Sequence, residues 1–271
     1  MRNSIVDIRR IGPKGENGLS CRRVELLGDP ASNHHIICFL PWLFSYARSA
    51  EVGLIPPGCL LAYEMPHAIV SSAPAKSVDA LHVVVNDFLA MMQKLQLEPA
   101  KLTLVGLSIG NFAATYIANK IGARLWSVAA GDRGEVLVWK SSLAEGIRTQ
   151  AESNGLRFSD FEKTLNAFNP INNLDNIGDH SIFIAGCFDT VVPYRCARNV
   201  ALAARTRNRS ARRIILPFGH SGTLIAGVKY LRLKSRALAR TIPAAPAQAQ
   251  TRSKSGSSAS AAAPKNLTVS Q

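Results

Sequence analysis

The stretch Val105-Gly106-Leu107-Ser108-Ile109-Gly110-Asn111 constrains this chain more than any other. Lys101 to Val105 (KLTLV) is apolar and partly β-branched, which suits a strand buried in a parallel sheet. Asn111 to Lys120 (NFAATYIANK) reads as a helix, with small Ala113 and Ala114 where it must approach the strand and Gly122 as its C-terminal cap. A strand that turns directly into a helix leaves no room for side chains at the two positions flanking the apex, and here both are glycine. The apex residue, Ser108, is expected in a strained backbone conformation, its hydroxyl pushed above the sheet at the positive end of the helix. A GxSxG pentapeptide alone fits an ordinary strand-turn-helix equally well, so the rest of the chain decides what it means.

With 271 residues, 47% of them hydrophobic, the chain can bury a sizeable core. One α/β domain over residues 1–240 followed by a tail is the simplest organisation. The N-terminus, Met1 to Arg10, lacks the apolar core of a signal peptide, and no run approaches the roughly 18 apolar residues of a membrane span. No transmembrane segment and a cytoplasmic location are therefore expected. The five cysteines (Cys21, Cys38, Cys59, Cys187, Cys196) show neither CxxC nor His-paired spacing, so no disulfide frame and no metal site are expected. No cofactor motif stands out either. The net charge of +14 is uneven: Thr190 to Gln271 holds 15 of the 32 Lys and Arg residues and none of the 18 acids. This C-terminal basicity is a solvated face or a weak contact for an anionic partner.

Ile5 to Ile11 and Cys21 to Leu27 read as two strands separated by the turn from Gly12 to Gly18, and His35 to Leu40 and Cys59 to Tyr63 as two more. Ser77 reads as the N-cap of a helix in which Val78, Leu81, Val85, Phe88, Met92 and Leu95 recur at helical spacing. Further strands are expected at Arg124 to Ala130, Ser181 to Ala185 and Arg212 to Leu216, so the order implies a doubly wound, mostly parallel sheet with an antiparallel N-terminal edge. From about 132 to 179 the alternation stops. Two apparent capping boxes, Ser142 with Glu145 and Ser159 with Glu162, mark that stretch as a small helical insertion over the sheet, a lid or simply a longer crossover. Thr223 to Arg240 reads as a terminal helix with Leu224, Val228, Leu231 and Leu238 on one face, and the Ala/Pro/Ser-rich residues 241–271 as a disordered tail.

A serine hydroxyl is a poor nucleophile at neutral pH and needs a base oriented by a carboxylate. Of the six histidines, only His67 and His220 follow strands. His220 lies in Pro217-Phe218-Gly219-His220-Ser221-Gly222, where flanking glycines allow a tight loop, and is the favoured base. His67 is assigned to the pocket lining. For the acid, Asp189 in Gly186-Cys187-Phe188-Asp189 directly follows a strand and is the last carboxylate in the chain, and Asp132 is the alternative.

The strand-turn-helix GLSIG, the GCFDTVVP segment and the FGHSG loop, in this order, resemble the α/β-hydrolase family over most of His35 to Leu233. The resemblance implies that Ser108 is the nucleophile, Asp189 the orienting acid and His220 the general base and acid. It also implies an oxyanion hole from two backbone amides. One maps to Ile109. The other falls in Leu40-Pro41-Trp42-Leu43, where many relatives carry His-Gly. Proline has no N–H, so Trp42 is the candidate, with Leu43 behind it. Leu43, Met65, His67, Leu107 and Trp139 are the candidate substrate-binding residues; the apolar Trp42, Leu43, Phe44, Met65 and Trp139 suit an apolar acyl or aryl group, or are simply core. The expected function is a serine hydrolase acting on a small-molecule ester or thioester. An acyltransferase using the same three residues and a non-catalytic ligand-binding protein of the same fold are the alternatives.

Overall fold

A computed structural model describes residues 5–12, 19–26 and 34–241, with side chains through 235. One eight-stranded sheet organises them, in the order β1-β2-β4-β3-β5-β6-β7-β8. Its strands are β1 (Ile5–Ile11), β2 (Cys21–Leu26), β3 (His35–Phe39), β4 (Cys59–Glu64), β5 (Leu102–Leu107), β6 (Arg124–Val128), β7 (Ile182–Gly186) and β8 (Arg212–Leu216). β1 pairs antiparallel with β2, and β2 antiparallel with β4, while β4 to β8 form a continuous parallel array. The fold is thus the expected doubly wound, mostly parallel one with an antiparallel edge. Most of the expected turn 12–18 and the tail from 242 onward lie outside the described residues.

Helices cover both faces, so the central strands are apolar on both sides. Along β5, Leu102 and Leu104 join the core beneath helices α2 (Pro74–Lys94), α3 (Gly110–Ile121) and α7 (Tyr194–Arg207). Val105 and Leu107 point the other way, into a core closed by α1 (Tyr46–Glu51) and α8 (His220–Thr241). This two-residue alternation divides the molecule into two half-cores that meet at the sheet.

Several boundaries differ from the sequence expectation for local reasons. α2 starts at Pro74, whose fixed φ and missing N–H suit the first helical turn, so Ser77 is a buried interior residue and not the N-cap. α1 was not legible as a helix: it is six residues long, started by Ser45 Oγ accepting from Arg48 N–H at 3.3 Å. α8 starts at His220, so the histidine expected in a tight loop is the first residue of a helix.

Between β6 and β7 lie α4 (Gly134–Lys140), α5 (Glu145–Ser153) and α6 (Phe158–Leu165). Neither expected capping box forms. Ser141 caps a short 3-10 turn by accepting from Leu143 N–H, and α6 is started by Asp160 accepting from Arg157 N–H at 2.7 Å. Val138, Ala151, Phe161 and Leu165 give these helices a small core of their own, against which Trp139 packs.

Among the described residues no helix is long and apolar enough to cross a membrane. Part of the C-terminal basicity has internal partners. Arg207 pairs with Asp175 at 2.7 Å, and Arg232 Nη2 donates to Gly53 O and Ile55 O at 3.0 and 3.2 Å.

The antiparallel edge is joined to α2 by a buried ionic group. Arg23 on β2, 5% exposed in its side chain, donates from Nη1 to both oxygens of Asp87 at 2.5 and 2.6 Å and from Nη2 to Glu25 at 2.8 Å. Tyr63 Oη donates to the same Asp87 carboxylate at 2.9 Å, and burial followed by that carboxylate raises the phenol well above its ordinary range, which keeps it a donor. Removing Asp87 leaves the buried Arg23 guanidinium with Glu25 alone and Tyr63 Oη without its acceptor, whereas removing Arg23 as well takes out the buried cation. Asp87→Leu is therefore expected to lower unfolding free energy by about 3 kcal/mol, and the double variant Arg23→Met/Asp87→Leu to recover part of that loss, Glu25 and Tyr63 still lacking their partners. Urea denaturation of the two variants and the parent checks this.

Candidate active site

The turn from β5 into α3 is held by backbone contacts at their closest limit. A Cβ added to Gly110 would fall on Phe39 O at the end of β3, with Phe39 C at 2.7 Å and Leu40 O at 2.8 Å. One on Gly106 would meet Asn111 Oδ1 at 2.6 Å and its Cα at 2.7 Å. Between them Ser108 has φ +52°, a left-handed conformation that a serine holds only when its surroundings fix it, at a cost of about 1–3 kcal/mol. Two groups do so. Ser108 N–H donates to Val128 O at 2.9 Å, and the fully buried Asn111 donates from Nδ2 to Ser108 O and Val128 O, each at 2.9 Å. Asn111 was not singled out from sequence, although an asparagine in the first turn of a helix that opens on a glycine is the available signal.

Beyond the ends of β7 and β8 stand a carboxylate and the histidine that meets this serine. Ser108 Oγ lies 2.9 Å from His220 Nε2, and His220 Nδ1 lies 2.8 Å from Asp189 Oδ2. Asp189 follows β7 in a tight loop, its side chain 2% exposed, and its other oxygen accepts from Val191 N–H at 2.9 Å and Val192 N–H at 2.8 Å. Both lone-pair faces of the carboxylate are therefore in use and its plane is fixed. A carboxylate only accepts, so His220 Nδ1 carries a proton and Nε2 is left to accept from the Ser108 hydroxyl. Asp132, the alternative acid, is turned away. It is 5% exposed, and its Oδ2 accepts from Asn199 Nδ2 at 3.0 Å. The adjacent Cys196 thiol is pushed up to about 12, first by burial and then by Asp132 itself.

A cavity of about 690 Å³ opens beside Ser108. Pro41, Trp42, Leu43, Ile109 and His220 line it close to the serine, and most of the remaining wall is apolar. The N–H groups of Trp42, Leu43 and Ile109 donate to no protein acceptor among the described residues, whereas Phe44 N–H bonds to Pro41 O at 3.3 Å. Leu43 has φ +64° and is 59% exposed.

Four of the five residues assigned to substrate contact from sequence do not line the cavity. Met65 is buried in the core under α2, because it falls on the inward side of the chain leaving β4. His67 is exposed, and it is its carbonyl that matters locally, accepting from Trp42 Nε1 at 3.1 Å. Leu107 is fully buried on the α8 side of the sheet. Trp139 stands edge-on to Phe158 and Phe161, inside the small core of α4–α6. Leu43 alone of the five lines the cavity. Sequence reasoning missed Arg48, Ser77, Phe112, Val138 and Leu224, which do. Among the described residues no cluster of three or more His, Cys, Asp or Glu is arranged to hold a metal ion.

No family model matches the sequence, and no curated protein matches it. Solved structures do. They include acylaminoacyl peptidase from Pyrococcus horikoshii (TM-score 0.59, 10% identity, 89% of this chain and 42% of that one). They also include a hyperthermophilic esterase from the archaeon Pyrobaculum calidifontis (TM-score 0.57, 15% identity, 88% of this chain and 83% of that one). Carboxyl esterase 2 from the mycorrhizal fungus Tuber melanosporum is a third (TM-score 0.56, 12% identity, 89% of this chain and 85% of that one). The chain thus spans about two fifths of the peptidase but most of each esterase. It has the α/β-hydrolase fold.

Because the atoms that a Cβ at position 110 would strike are backbone, they cannot swing aside. Gly110→Ala is expected to push α3 away from β3 and cost about 1–3 kcal/mol, a drop of several degrees in unfolding temperature. Differential scanning calorimetry checks it, with Gly146→Ala, whose added Cβ meets no atom within 4 Å, as the control.

Proposed function

We propose that the protein is a serine hydrolase that cleaves a carboxylic ester or thioester through an acyl-enzyme. The supporting observation is the unbroken line of hydrogen bonds from the buried Asp189 through His220 to Ser108, ending at the wall of an apolar cavity. An ordinary strand-turn-helix has no need of it.

In this reading His220 Nε2 takes the Ser108 proton as Oγ bonds to the carbonyl carbon, and Asp189 stabilises the imidazolium through Nδ1–H. The carbonyl oxygen gains the negative charge and rests on the Ile109 and Trp42 N–H groups, at the N-terminus of α3. The Trp42 indole bond to His67 O steadies that loop. His220 then returns the proton to the departing alcohol oxygen or thiol sulfur, leaving the acyl group on Oγ. A water entering the vacated space gives His220 a proton and attacks the acyl carbon, and the Ser108–acyl bond breaks with the proton returning to Oγ. Helices α4–α6 form the cover of the acyl site, since Val138 and Leu165 contribute to the cavity wall while packing in their own core. The apolar lining favours an ester or thioester with an apolar acyl group over a polar peptide.

Ser108→Ala is expected to lower kcat on para-nitrophenyl esters by at least about 10⁴-fold and to abolish labelling by a fluorophosphonate probe. Asp189→Asn, which allows the wrong imidazole tautomer, is expected to lose about 10⁴-fold with little change in KM. Equal ester hydrolysis by Ser108→Ala and the parent would remove the proposal.

A further inference from the structure

The cavity lining divides between the two half-cores. On one side of Ser108, Leu81, Phe112, Val138 and Leu165 make a wall with each residue 6% exposed or less. On the other, Phe44 precedes α1, Arg48, Val52 and Leu54 belong to α1 and the segment after it, and Leu224 and Ile225 to α8; here Leu54 and Leu224 are 2% and 4% exposed, Val52 and Ile225 40% and 37%. Each side thus has a buried floor and an exposed rim, Leu143 (62% exposed) being the rim of the first; what distinguishes them is charge, since the first is uncharged and the second carries Arg48.

Arg48 is the one permanently charged side chain among the described residues of the lining. It takes part in no ion pair among those residues and its guanidinium makes no hydrogen bond to them; its contact is the Phe44 ring, 5.2 Å from Cζ to the centroid. A guanidinium held over an aromatic face keeps its N–H donors available to an anion. The wall beneath is firm, because Arg232 of α8 donates to Gly53 O and Ile55 O on either side of Leu54.

We infer that the substrate is two-ended: an apolar acyl chain lies against the uncharged wall, and the leaving half carries an anionic group, carboxylate or phosphate, received by Arg48 at the opposite wall. The inference rests on the reading of Ser108 as the acyl acceptor. It also fits the order of events, since the leaving half departs first and Arg48, itself exposed, holds it at the solvent edge while the acyl group stays on the serine. Arg48 is thus a specificity-determining residue that discriminates by charge.

The test uses matched esters: para-(octanoyloxy)benzoate, its neutral methyl ester, the corresponding phenyl phosphate, and para-nitrophenyl hydrogen suberate, which carries its carboxylate on the acyl end. The parent is expected to prefer the benzoate over its methyl ester by about 3- to 10-fold in kcat/KM, mostly through KM, with the preference shrinking as salt is added. Arg48→Met should collapse that ratio towards one and Arg48→Lys retain part of it; the phosphate ester then tells which anion is preferred. A ratio unchanged by Arg48→Met, or a preference for the suberate over para-nitrophenyl octanoate, overturns the inference. Binding separates it from the hydrolase reading. The uncleavable amide para-(octanoylamino)benzoate, titrated calorimetrically into Ser108→Ala, should bind about 3- to 10-fold more weakly when Arg48→Met is added. If that loss is seen and no ester is cleaved, anion recognition stands and hydrolysis falls. If esters are cleaved with no such loss, the reverse holds.

Discussion

The structure depends on one close approach, the Cα of Gly110 against the last carbonyls of β3. Nothing larger than hydrogen fits there. That contact lets α3 begin immediately at the end of β5, and the abrupt change of direction forces Ser108 into its left-handed conformation. Asn111, buried and bonded to both Ser108 O and Val128 O, ties the turn to the next strand and keeps it from relaxing. Backbone strain at one residue is thus balanced by packing and hydrogen bonds spread over β3, β5 and β6.

The strands do the rest by ending level. β5, β7 and β8 are parallel and in one sheet, so the segments leaving their C-terminal ends share an edge, and Ser108, Asp189 and His220 each leave one of them. This is why those three positions were legible from sequence: each follows a strand, and the order of the GLSIG, GCFDTVVP and FGHSG motifs set Asp189 and His220 apart from Asp132 and His67, which follow strands too. The pocket was not legible in the same way. Whether a side chain faces the cavity depends on strand parity and helix rotation, and one step of either sends Leu107 to the opposite core or Trp139 into the interior of α4–α6. Arg48 was missed because α1 is too short to show a period, and Ser77 because a serine after Pro-Ala-Lys resembles a cap when Pro74 has already begun the helix.

The two half-cores also give the cavity its two characters. The side under α2, α3 and α4–α6 is walled by residues that the core needs in any case, so its apolarity follows from folding. The side between α1 and α8 carries the part-exposed Val52 and Ile225, and there the exposed Arg48 guanidinium stands at the edge of the cavity. In the proposed chemistry, the same sheet that separates the cores separates the two halves of the substrate.

His220 is the first residue of the last described helix, and its bond to Ser108 spans 112 positions of the chain, against 31 for its bond to Asp189. A ribosome releases the chain from the N-terminus, and domains begin folding in that direction. The strained turn at Ser108, with β3, β5 and β6 around it, consists of segments that emerge more than 90 residues before α8 does. A nascent or C-terminally shortened chain therefore holds the serine in an open, half-built sheet with no imidazole to meet it. In the proposed chemistry, competence therefore waits on the segment that carries His220.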